Sequence, residues 1–309
     1  DRLFVLSYKY DSAMGHFMSE VLPRVAFHMA LLTDTQAPVH IHYGCDKKYG
    51  VFSPPLQYMQ WLGLDKSRFV QGEARAKEVL IPRDGACQDL MFNRWEFMVM
   101  RDAVLERAQL QARRDWTVVR RKDTRVLSDR SPEKPASAAT DVRPIVPGKP
   151  VILVLQRSRS RFSARRGDVT RIWPDDFFEN ILTSIAEGFP QYEVQAFSDK
   201  NVTLMECLQC QVELFSRSSV LVGMHGAGLS NVMFMPLGAL LVEITPGLDG
   251  RMLPGSGPFS RVTMATGTHH MFFHLLKEMQ TFTRKGTTFD VKRLVEAMQQ
   301  VLPVIGAAG

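Results

Sequence analysis

The hydrophobic pattern divides the chain into two stretches, each alternating strand and helix signals. In the second, Pro150-Val151-Ile152-Leu153-Val154-Leu155 is a continuous apolar, β-branched run, the mark of a strand buried on both faces of a parallel sheet. The pattern then predicts a helix near Asp175 to Glu187, a strand Tyr192 to Phe197 and a helix Leu204 to Ser216. A strand Val220 to Val222, a short helix near Leu229 to Met235 and a strand Leu240 to Ile244 follow. The first stretch reads less clearly as strand Leu3 to Ser7, helix Gly15 to Leu32, strand Val39 to Tyr43, helix Leu56 to Leu62, strand Val79 to Pro82 and a long helix Asn93 to Gln111. Alternation of this kind means βαβ crossovers and doubly wound sheets. Between Arg120 and Pro150 the periodicity is lost, as expected of a linker or a long exposed loop. The expected fold is therefore α/β, with an N-terminal domain over residues 1–145, a C-terminal domain over 146–309 and a cleft between them. A last helix near 290–303 has its apolar residues at helical spacing and can pack back on the junction.

Composition adds bounds. The 309 residues are 45% apolar and 23% charged, the balance of an ordinary globular protein, and the length suits two domains. The longest near-apolar run, Val232 to Val242, is too short to span a bilayer and is broken by Pro236 and Gly238. Asp1 leads straight into a core strand, so an N-terminal segment carrying any anchor or targeting signal is expected upstream. The net charge of +6 is concentrated between Arg157 and Arg171, which suits a phosphate-bearing partner but is too local for a nucleic-acid footprint; no nucleic acid is expected. Of the four cysteines, Cys207 and Cys210 fall in a helical pattern and read as buried thiols, since no second pair completes a zinc site.

The most informative segment is Leu221-Val222-Gly223-Met224-His225-Gly226-Ala227-Gly228-Leu229-Ser230-Asn231. A buried strand runs into a glycine-rich turn and a helix start, and the carboxyl ends of such strands are where open α/β sheets bind ligands. Small residues let backbone N–H groups approach an anion closely. The spacing G-x-x-G-x-G is neither the dinucleotide fingerprint nor a P-loop, and a tight structural turn capped by His225 is the competing reading.

The wider context resembles a known family. Glu206 through Pro246, with Gln211, the glycine block, Phe234-Met235-Pro236-Leu237-Gly238 and Leu241-Val242-Glu243-Ile244-Thr245-Pro246, is similar to the signature of family 61 glycosyltransferases. Leu155-Gln156-Arg157-Ser158-Arg159-Ser160-Arg161 resembles that family's strand followed by R-x-x-x-R. Gly15-His16-Phe17-Met18-Ser19-Glu20-Val21-Leu22-Pro23-Arg24 resembles its H-x-x-x-D/E-x-x-P entry. The chain departs from the family where Phe162 to Thr170 intervenes before the next helix, which leaves the second basic residue open between Arg161 and Arg171.

The resemblance implies a GT-B fold: two Rossmann-like domains, the nucleotide-sugar mainly on the C-terminal one, the acceptor in the cleft, and inversion at the anomeric carbon. The implied partners are a UDP-sugar, with xylose or N-acetylglucosamine as the sugar, and a glycan or glycoprotein acceptor. The implied location is the lumen of the Golgi or endoplasmic reticulum, behind a type II membrane anchor; the sequon Asn201-Val202-Thr203 suits it. Arg157 and Arg161 are expected at the diphosphate, with His225, Gly226, Ala227, Gly228 and Asn231 supplying the turn. Glu243 is expected either at the ribose or as a buried, paired carboxylate. Glu20 is the first choice for the general base, with His16 one turn earlier orienting it or serving as the base itself. Arg24 and His28 extend this polar row in an otherwise apolar helix, as a cleft wall would require. No Asp-x-Asp occurs, so no metal cofactor is expected; H-E-x-x-H and G-x-S-x-G are also missing. A non-catalytic nucleotide- or glycan-binding module on the same fold is the alternative function.

Overall fold

The computed structural model describes residues 2–6, 17–43, 54–82, 97–108, 149–158, 172–246, 258–276, 279–283 and 286–306. His16, Arg161 and Arg171 fall outside them, as does the expected linker after Arg120 up to its last two residues, Lys149 and Pro150.

Two parallel sheets, each flanked by helices, make up two Rossmann-like α/β domains of the GT-B kind. The first sheet has the order β3-β2-β1-β4, from β1 (Arg2–Val5), β2 (Val39–His42), β3 (Phe69–Val70) and β4 (Glu78–Leu80). The helix expected over Gly15 to Leu32 is not one continuous α-helix. Its described part is a π-helical turn, Phe17–Val21, then α1 (Leu22–Phe27) and α2 (Met29–Thr33) with His28 between them. Helix α3 (Pro54–Trp61) and a helix over 97–108, here α4, complete this half.

The second sheet is fully parallel, ordered β6-β5-β7-β8-β9 from β5 (Val151–Gln156), β6 (Glu193–Ser198), β7 (Ser218–Met224), β8 (Leu240–Pro246) and β9 (His269–Leu275). Its helices are α5 (Asp175–Gly188), α6 (Val202–Glu206), α7 (Leu208–Ser216), α8 (Pro258–Thr266) and α9 (Val291–Gly306). All six residues of β5 are buried, and the strand feeds two cores by alternation. Ile152 and Val154 face a cluster with Ile181, Ile185, Val222, Val242, Leu294 and Met298, in which α9 lies on α5. Leu153 and Leu155 face the opposite cluster, and that cluster is shared with the first domain. Phe4, Phe17, Val21, Tyr58 and Val104 belong to it together with Leu221, Leu229, Phe234 and Phe259. The Tyr58 ring stacks on Phe234 across the seam at 6.4 Å between centroids, and burial pushes its phenol pKa up. The Arg101 guanidinium donates to the Met235 carbonyl at 3.0 Å, tying α4 to the other half.

The expected helix Leu204 to Ser216 is divided at Cys207, and the reading of Cys207 and Cys210 as buried thiols is corrected: they form a disulfide, with Cys210 exposed. The buried Gln211 amide donates to the carbonyls of Leu204 and Met205, at 3.0 Å each, and so satisfies groups that the break exposes. Asn201 caps α6 by accepting from the Leu204 N–H. A hairpin of β10 (Gln280–Thr283) and β11 (Gly286–Phe289) holds the chain entering α5, where the Thr287 N–H donates to Ile172 O at 2.8 Å. Gly286 has φ +146°, and a Cβ there would stand 2.4 Å from the Ile172 oxygen, so only glycine fits. Among the described residues no helix is long and apolar enough to cross a membrane.

Candidate active site

The carboxyl ends of β5, β7 and β8 converge on the glycine-rich turn. Beyond β7 the chain stays in register for one more residue, since the His225 N–H donates to Ile244 O at 2.8 Å. Gly226 is extended, at φ 169°, and the chain then enters a 3-10 segment, Ala227–Phe234, in place of the expected helix near Leu229 to Met235. The small residues serve close approach. A Cβ on Gly223 would meet Leu155 Cβ at 3.0 Å and Leu229 Cδ2 at 3.1 Å, and one on Gly228 would meet Leu155 Cδ1 at 3.3 Å. The turn is thereby pressed onto β5. A Cβ on Gly226 would lie 3.4 Å from Arg157 Nη1, so the guanidinium reaches the turn.

Arg157 is placed by its neighbours. The Ser158 N–H donates to both carboxylate oxygens of the buried Asp199, at 2.9 and 3.0 Å, which fixes the chain as it leaves β5. Just before it, the Gln156 amide donates to Asp175 at 2.9 Å and accepts from the Ser198 hydroxyl at 2.6 Å. Lys200 pairs with the same Asp175 carboxylate at the start of α5.

The turn's own histidine belongs to a cluster whose third member was not expected. Glu243 is 1% exposed, and both its oxygens are bonded: Oε1 to Nδ1 of His225, Oε2 to Nε2 of His270 at 2.8 Å. Of the two readings of Glu243, the buried, paired one is the geometry found. Burial raises its pKa, but hydrogen bonds from His225 and His270, and their charge, outweigh that and hold the carboxyl below its usual range. An ionised carboxylate only accepts, so both imidazoles donate to it. Phe272 stacks on His270 at 4.0 Å, and the Phe259 ring packs edge-on against His225 at 5.3 Å. His270 had a legible signal. In His269-His270-Met271-Phe272-Phe273-His274-Leu275 the buried Phe273 and Leu275 alternate with the row His270, Phe272 and His274, the period of a strand.

Asn231 donates from its amide to Gly228 O at 3.1 Å, while its Oδ1 and the Ser230 hydroxyl are buried without a partner in the structure. The backbone of Glu20 lies in the π-helical turn, an element that recurs at functional sites. That turn contacts the 3-10 segment, so the element carrying Glu20 and the one following the glycine turn meet at the seam. The flanking Phe17, Met18, Val21, Leu22 and Val25 are fully buried, and Arg24 in the row beyond Glu20 is buried too. Among the described residues no group of three or more His, Cys, Asp or Glu side chains could hold a metal ion.

The family model described as Glycosyltransferase 61 matches residues 14–242, a span that takes in the Glu20 turn, Arg157 and the glycine turn. Among curated proteins no match is found.

Proposed function

The chain belongs to glycosyltransferase family 61, and from that premise we propose that it is an inverting enzyme transferring xylose or N-acetylglucosamine from a UDP-sugar to a glycan or glycoprotein hydroxyl. The observation that carries the reading is the meeting of the Arg157 guanidinium with the His225-Gly226-Ala227-Gly228 turn at the carboxyl end of a parallel sheet. This arrangement supports a diphosphate site: a fork of donors from arginine and backbone N–H groups from the turn. Arg161 or Arg171 supplies a second guanidinium, and Asn231 fixes the turn's exit. In the reaction the base takes the acceptor hydroxyl's proton, the acceptor oxygen bonds to the anomeric carbon from the far side, and the anomeric C–O bond breaks with its electron pair leaving on the diphosphate. Glu20 is the proposed base and His16 its support. The Cys207–Cys210 disulfide favours a lumenal location, because such bonds persist in oxidising compartments.

Two measurements test the reading. Arg157→Ala weakens UDP binding by roughly 1.5–3 kcal/mol, about 10- to 150-fold, and Lys restores it only in part because an ammonium lacks the fork. Unchanged affinity in calorimetry on the folded variant would move the diphosphate elsewhere. Transfer, or donor hydrolysis, continues in EDTA, since the arginines and the turn do the charge stabilisation; complete loss, restored by Mn²⁺, contradicts this. Tight UDP binding without turnover on a broad acceptor panel would favour a binding module.

A further inference from the structure

His225 is joined through one carboxylate to a second histidine lying away from the turn, and the proton count of that arrangement has a consequence for donor binding. The Nδ1–H of His225 donates to the Glu243 carboxylate. A neutral ring then has only a lone pair at Nε2, and it donates from Nε2 only as an imidazolium. With both histidines neutral the cluster carries one negative charge, which repels a diphosphate. With His225 protonated it is neutral overall and places an N–H at the turn.

Among the described residues the other titratable or charged groups around His225 are these. Arg157 follows β5 and reaches the turn. Arg261 lies on α8, two residues after the Phe259 that packs on the ring. From β8 and β9 come Glu243, His270 and His274, the last bonded through Nδ1 to Thr245 at 3.0 Å. β7 and the 3-10 segment contribute none.

We propose that His270 is a positioning residue which, through Glu243, orients His225 toward the donor's diphosphate, and that the diphosphate binds with uptake of one proton by His225. His270 acts by sharing the carboxylate. With its N–H on Oε2, Glu243 divides its charge between two imidazoles and draws less strongly on the proton of His225. The inference rests on the nucleotide-sugar reading above.

The test is calorimetric titration of the full chain with UDP-N-acetylglucosamine and with UDP-xylose, whose diphosphates are esterified at both ends and do not titrate between pH 5.5 and 8.5. Wild-type Kd is expected to rise with pH, by no more than tenfold per pH unit, and the binding heat to vary with the buffer's ionisation enthalpy, as uptake of one proton requires. His270→Leu removes the donor to Oε2, so that Glu243 draws harder on the proton of His225, and is expected to move the midpoint of that pH dependence upward. His270→Gln offers an amide N–H at the same reach and keeps the wild-type midpoint, which separates positioning from mere packing. Both variants are first checked for cooperative thermal unfolding; if Leu does not fold, His270→Asn, whose amide is too short to reach Oε2, takes its place with the same expected upward shift. A Gln variant whose midpoint moves as a donor-less one would, or a Leu variant with the wild-type profile, overturns the role of His270. A wild-type affinity independent of pH and buffer overturns the proton linkage and leaves the donor reading standing. No binding of either UDP-sugar at any pH overturns both.

Discussion

Glu20→Gln lowers kcat by about 10²–10⁴-fold while affinity for UDP is unchanged, the usual worth of a general base. The amide keeps the size and polarity of the side chain and removes only its capacity to take a proton. The expectation rests on the element: a π-helical turn walled by buried Phe17, Met18 and Val21, in contact with the segment that leaves the glycine turn. His16→Ala is expected to act more mildly, mainly through KM for the acceptor. A dead His16→Ala that still binds donor, beside a near-normal Glu20→Gln, would exchange the two roles. If both retain activity, the base belongs to another segment.

Glu243→Ala destabilises the fold by roughly 2–5 kcal/mol, because it strands two imidazole donors in a site from which water is largely excluded. The sign of its pH dependence follows from the lowered pKa of Glu243. A carboxylate whose folded-state pKa is depressed contributes its full stabilisation above the ordinary carboxylate range and loses it as the pH falls through the lowered value. The difference between wild type and Glu243→Ala in urea denaturation should therefore be largest near neutrality and shrink in acid. A loss below about 0.5 kcal/mol at pH 7, the scale of an ordinary surface substitution, would mean that the carboxylate does not hold the two rings.

The parts of the molecule that were legible in the sequence are those where one physical signal dominates. The run Val151 to Leu155 is apolar at every position because both faces of β5 are covered, and the same logic located β7 and β8. The helix expected near Asp175 to Glu187 is α5, whose buried Phe177, Phe178, Ile181 and Ile185 keep helical spacing on one face. Where signals compete, the pattern misled. Leu204 to Ser216 keeps helical spacing through Cys207, yet the disulfide and the Gln211 bonds make a break there. Leu229 to Met235 is apolar nearly throughout, so its periodicity could not distinguish a 3-10 segment from an α-helix. In β9 the alternation of Phe273 and Leu275 with His270, Phe272 and His274 is blurred by the continuous apolar run Met271-Phe272-Phe273, and His270 on that row completes the Glu243 cluster. The pairing of His225 with Glu243 spans 18 residues and two strands, and only the β7–β8 register brings them together.

The apolar cluster between the two sheets bears on how separable the halves are. Leu229, which packs close to Gly223 of the glycine turn, and Phe234 of the same 3-10 segment share one cluster with Phe17 and Tyr58 of the other half, the Tyr58 ring lying on Phe234. A fragment carrying only the second sheet would leave its greasy share of that cluster open to water, and such a surface invites self-association. Although the architecture looks modular, the halves are expected to melt together, with the packing of the glycine turn lost in the same event as the first sheet.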